Sequence, residues 1–110
     1  MTVRHKELAA GRWREFPLAL QMAHVGSEVE RALQWREAGD ASRSRSAYER
    51  ALELLDLTSK FVRRPTQIRE LRRAREALAD FFDGDNEIES SPADWQRYFD
   101  AFTCAVRKNR

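Results

Sequence analysis

Pro17, Pro65 and Pro92 each stand at the head of a stretch whose apolar residues recur every three or four positions. Proline has no N–H to give and its φ is already helical, so it is tolerated at the first position of a helix and disruptive inside one. The three prolines therefore mark three helix starts. A fourth start follows Gly39-Asp40, where glycine suits the residue after a helix and aspartate suits a helix cap. The chain holds only four glycines and three prolines in 110 residues. A β-sandwich would need more turns than these supply.

The four segments each carry a helical period. The first is predicted over about 17–38, with Leu18, Met22, Val25, Val29, Ala32 and Leu33 inward. The second follows Asp40 and fades between Ser59 and Val62, with Ala47, Tyr48, Ala51, Leu52, Leu55 and Thr58 or Leu57 inward. The third starts at Pro65 or Thr66 and stops at Gly84, taken as a left-handed stop. Its apolar line is Ile68, Leu71, Ala74, Leu78 and Phe81 or Phe82, and Asp80 falls on its outer face. The fourth opens on Ser91-Pro92 with Asp94 in reciprocal capping position and carries Trp95, Tyr98, Phe99, Phe102, Ala105 and Val106. Helices of this length with short connections predict an all-α, antiparallel up-down four-helix bundle over 16–110. Residues 1–15 are expected to form an N-terminal arm or an extra helix.

Composition narrows the chemistry. A net charge of +2 gives no overall attraction for nucleic acid, which is not the expected partner. The single cysteine, Cys104, excludes an internal disulfide and is read as a packed, structural thiol. With no apolar leader and no long apolar run, a cytoplasmic location without membrane contact is expected.

No known catalytic motif is present, and neither catalytic residues nor a cofactor are expected. His24 and Glu28 share a face but make two ligands, which is too few for a metal site, and none is predicted. The acidic stretch Asp80–Glu89 fails as an EF-hand, because an Asp83-Gly84 register puts Ala79, Phe81 and Ser90 where carboxylates are required. It reads as a capped turn. Charged residues close to the apolar lines, Glu28, Arg31, Asp56 and Arg75, together with Asn86 and Glu87 of the turn, are the candidate ligand-binding group. Asp56 needs a cationic partner, Arg31 or Arg75, because an unpaired buried charge is costly. The basic run RRPTQIRELRRAR is a candidate for binding phosphate or RNA, but Glu70 and Glu76 interleave with Arg69, Arg72 and Arg73, Arg72 and Glu76 are spaced for an ion pair, and it reads as a solvated or interface face.

The stretches VGSEVERALQWREAGD and ERALELLDLT, with the later DNE, resemble a group of small helical bacterial proteins of unknown function. The layout is more distantly similar to the HEPN superfamily, whose four-helix domains include RNases. That resemblance implies nucleic-acid or small-ligand binding, but the Arg–His pair of HEPN nucleases has no counterpart around His5 or His24. A single tetratricopeptide-like hairpin around Trp35, Gly39 and Tyr48 has no second copy. The expectation is a non-catalytic interaction module. It is expected to be homo-oligomeric through aromatic helix faces, or to bind another protein, because Trp13, Phe16, Trp35, Trp95, Tyr98, Phe99 and Phe102 exceed what a small core absorbs.

Overall fold

The computed structural model describes residues 11–108. Its helices are α1 (Leu18–Glu37), α2 (Ala41–Phe61), α3 (Pro65–Asp83) and α4 (Pro92–Lys108), preceded by a helical turn that ends at Trp13. No strand occurs among the described residues, and none of their helices is long and apolar enough to cross a membrane.

The first reversal is a complete glycine stop. Gly39 has φ +83, its N–H donates to the Arg36 carbonyl at 3.1 Å, and the Asp40 N–H donates to the Trp35 carbonyl at 2.9 Å. This 6→1 and 5→2 pair is the Schellman arrangement. The Asp40 side chain then accepts the Arg43 N–H at 3.0 Å and starts α2. Pro17 stands one residue earlier than expected, as the residue before α1, with ψ 150; Pro65 and Pro92 open α3 and α4.

α1 packs closely on α2 and α4, and α2 on α3. The pairs run antiparallel. Ser44 donates to the Ala32 carbonyl and Arg50 reaches Glu28 between α1 and α2, while Arg45–Asp83 and Asp56–Arg75 tie α2 to α3. The core follows the expected lines with one exception: Met22, Val25, Val29, Ala32, Ala47, Ala51, Leu55, Leu71 and Leu78 are buried, with Phe81 rather than Phe82 and Thr58 rather than Leu57 inward, but Ile68, expected inward on α3, is exposed in its first turn.

Two departures concern the ends of the chain. Trp13 lies in the bundle, 6% exposed, although the expected arm includes it. Residues 1–10 of that arm lie outside the described residues. Cys104 is exposed, on the side of α4 away from its buried Trp95 and Phe99, so it does not pack as expected.

α4 is also where polar atoms go unmatched. The Tyr98 hydroxyl and the Trp95 indole N–H are buried without a hydrogen-bond partner among the described residues. Burial, reinforced by the charge of Glu70, pushes the Tyr98 phenol up to about 12. Because the folded value lies above the unfolded value of about 10, the neutral phenol's contribution is intact below pH 10 and is lost as the pH rises toward 12. Tyr98→Phe should therefore leave stability at neutral pH unchanged or raised, since it deletes an unsatisfied hydroxyl. It should also flatten the fall in melting temperature between about pH 10 and 12. A marked loss at pH 7 in thermal melts would mean that the hydroxyl has a partner.

Candidate functional site

The six residues expected to form a ligand site do not form one cluster. Glu28 is a nearly covered carboxylate, its side chain 14% exposed, held between Arg31 at 2.9 Å and Arg50 at 3.0 Å. Asp56 binds Arg75 through two nitrogens at 2.6 and 3.2 Å, which selects Arg75 over Arg31 as its partner. Both side chains are about half exposed, so the pair is worth about 1 kcal/mol or less. Asn86 and Glu87 stand in the α3–α4 loop. The Arg72–Glu76 pair allowed by spacing is not formed, and His24 is exposed against the rings of Trp13 and Phe16 rather than beside Glu28.

The loop is organised by Asp80, whose role the helical wheel hides. Its carboxylate accepts the Glu87 N–H at 2.8 Å and the Ile88 N–H at 2.9 Å. Its carbonyl accepts the Gly84 and Asn86 N–H groups at 3.2 and 3.0 Å. The Asn86 side chain closes the far side, donating to the Ser90 carbonyl and accepting the Ser90 N–H, both at 2.9 Å. The left-handed residues are Asn86 and Glu89, with φ 52 and 60. Gly84 is not left-handed: its φ is −118, and what favours glycine there is that an added Cβ would lie 3.1 Å from the Asp80 carbonyl oxygen.

α4 is capped as the sequence indicates. Ser91 Oγ accepts the Asp94 N–H at 3.1 Å and Asp94 accepts the Ser91 N–H at 2.9 Å. That backbone bond is the main reason the Asp94 carboxyl lies below its ordinary range, and the Arg45 guanidinium does the same for Asp83. Both contributions are present above about pH 4 and fade as the pH falls through the lowered values. Asp80→Ala should destabilise by about 1–3 kcal/mol in urea titration, through two charge-assisted bonds to backbone. A cost close to zero would mean that the loop is not built on that carboxylate.

With its backbone tied inward, the loop leaves side chains outside. Ile88 is 58% exposed, the more exposed of the two large apolar side chains open to solvent among the described residues. Asp85, Glu87 and Glu89 flank it, exposed and without an ion pair among the described residues. No group of three His, Cys, Asp or Glu side chains is placed to hold a metal among the described residues.

The opposite end of the bundle has the reverse chemistry. A groove of about 300 Å³ is lined by Arg14, Phe16, Leu18, Gln21, Phe61, Val62, Arg63, Arg64 and Gln67, with no carboxylate among the described residues that line it. It gathers the starts of α1 and α3 and the end of α2. Arg14 lies over the Phe61 ring at 5.4 Å, and Arg63 and Arg64 form no ion pair among the described residues. Buried Gln21 holds the groove's wall by donating to the Trp13 and Phe16 carbonyls at 2.6 and 3.2 Å.

At α3 these charges sit against the helix dipole, while the same arginines suit the end of α2 and the acidic loop suits the start of α4. The start of a helix is positive and its end negative, so acids stabilise the first turn and bases the last. α3 has no acid in its first turn, no side-chain cap and no base in its last turn. It begins instead behind Arg63-Arg64 and ends in Asp80 and Asp83. α1 likewise has no acid in its first turn and no side-chain cap. This mismatch was legible in the chain as RRP at one end of a helix and an acidic run at the other. What was not legible is that the α2–α3 corner and the turn before α1 fold into one groove.

Two further depressions, of about 500 and 570 Å³, follow the α1–α4 seam and the junction of α1, the loop and α4. Both mix acids with arginines and carry no concentrated charge of one sign. No family model, no curated protein and no solved structure matches the chain.

Proposed function

We propose that the chain is a non-catalytic helical interaction module that works by associating with further copies of itself. The observation that carries this reading is the separation of charge along the bundle. An acidic loop and an arginine groove with no carboxylate among its described lining residues stand at opposite ends, with arginines before the start of α3 and acids at its end, against that helix's dipole. Asp80 and Asp83 are compensated by the loop N–H groups and by Arg45, whereas Asp85, Glu87, Glu89, Arg63 and Arg64 form no ion pair among the described residues and so are available to a partner. The aromatic faces first expected to mediate association contribute less. Trp13, Trp95 and Phe99 are buried, and Trp35 is covered by the Arg43 guanidinium at 4.6 Å. The shifted carboxyls belong to a helix cap and an exposed ion pair, both structural roles. A cytoplasmic setting remains part of the proposal.

A HEPN-like protein that binds nucleic acid or a small ligand is the second reading. It is favoured by one observation, the arginine groove with its two phenylalanine rings. Sedimentation velocity over a concentration series separates the two. The module reading expects species heavier than the 12.9 kDa monomer as concentration rises. A monomer that persists to high micromolar concentration removes it.

A further inference from the structure

We infer that the Asp85–Glu89 loop of one copy docks into the Arg14–Arg63–Arg64 groove of the next, so that the chain assembles head to tail. The inference rests on the self-association reading and names its contact. Four observations lead to it. The loop offers one exposed aliphatic side chain, Ile88, between Glu87 and Glu89. The groove offers the matching arrangement: apolar Phe61, Val62 and Leu18 beside three arginines, in about 300 Å³, room for about ten water volumes and so for one aliphatic side chain with its flanks.

The third observation is preorganisation. Asp80 and Asn86 spend the loop's backbone hydrogen bonds inside the loop, so the exposed side chains are presented on a backbone already ordered, and docking orders little more. The fourth is distance. α1 runs its 20 residues from the groove at Leu18 to the loop end at Glu37, about 30 Å. A loop at one end cannot reach the groove of its own chain, so this complementarity is satisfied between molecules.

The geometry also sets the kind of assembly. Two different surfaces meet, so the interface is heterologous, and each added copy leaves one loop and one groove free. Such a series has no built-in end unless it closes as a ring. The contact is small, one loop tip in one groove, which places it among weak, transient interfaces of under about 1,200 Å². With charge on both sides it should respond strongly to salt.

Sedimentation velocity of the full chain, with two variants, tests this. The groove variant carries Arg14→Gln and Arg63→Gln; the loop variant carries Glu87→Gln, Ile88→Ser and Glu89→Gln. The wild type should form progressively larger species at low salt, and association should weaken at least about tenfold between about 50 and 500 mM salt. Each variant alone should be at least about tenfold weaker than wild type, with unchanged circular dichroism. Mixed in equal amounts, the variants should form a complex that stops at two chains. The intact loop of one fits the intact groove of the other, and both remaining ends are blocked.

The failures are distinct. A wild-type monomer at every concentration and salt overturns both the module and its contact. Wild-type association that both variants retain overturns the contact and leaves the module. A single-stranded RNA oligonucleotide bound by wild type but not by the groove variant, with self-association equal in both, gives the groove a different occupant and also overturns the contact.

Discussion

Trp13→Ala should lower the unfolding free energy by about 3–5 kcal/mol, the range for truncating a buried aromatic. The residue precedes α1 and lies in a stretch that reads as an arm, yet it is 6% exposed. Its indole N–H donates to Thr58 Oγ at 3.0 Å, and Thr58 in turn donates to the Leu54 carbonyl at 2.9 Å. Its own carbonyl accepts the buried Gln21 amide. Removing the ring opens a cavity against α2 and loosens the turn that walls the arginine groove. Trp13→Phe should cost less, about 1–2 kcal/mol, because most of the ring volume remains and the lost bond leaves Thr58 still donating. Urea unfolding of the two variants measures both values. A cost under about 1 kcal/mol for Trp13→Ala would return Trp13 to the arm and remove one wall of the groove.

Gly26→Ala should destabilise by about 1–3 kcal/mol, and Gly26→Leu by more. The sign runs against helix propensity, which favours alanine over glycine inside a helix by about 1 kcal/mol. In α1 an added Cβ would stand 2.6 Å from the Phe99 Cβ and 2.8 Å from its Cγ. Neither atom is the free end of a flexible chain, so α4 must move away from α1. Trp95 and Phe99, the two buried residues of α4, would both lose contact. Gly11 is the control: an added Cβ there meets nothing within 4 Å, and Gly11→Ala should be neutral or slightly stabilising. Thermal melts of the two alanine variants decide the matter. A Gly26→Ala protein that melts higher than wild type would mean that α1 and α4 separate without cost.

The division between what was legible and what was not follows the range of the interactions. Helix starts at Pro65, Pro92 and Asp40, the stop at Gly39, the Ser91–Asp94 cap and the inward lines of all four helices depend on neighbours within a few positions. Local backbone geometry and side-chain period determine them, so the sequence by itself determined the helices and the bundle. Where local signals were ambiguous, packing chose: Phe81 over Phe82, Thr58 over Leu57, Arg75 over Arg31 for Asp56. Asp80 looked like one more outer-face acid, because a helical wheel does not show a loop returning seven and eight residues later to donate two N–H groups. Gly84 ended α3 as expected, but through closeness to the Asp80 carbonyl rather than a left-handed φ. Gly26 carried no local sign of its role, since the Phe99 it meets is 73 residues away.

The groove lay furthest beyond local reading. Arg14 and Phe16 lie some 45 residues before Phe61 and Arg63, and neither stretch read alone shows that the two meet. Tertiary structure alone decided that the two corners meet there, and that the acidic loop stands at the other end. An antiparallel bundle sends alternate connections to opposite ends, and so brings Arg14, Arg63 and Arg64 together at one end and leaves the acidic loop at the other.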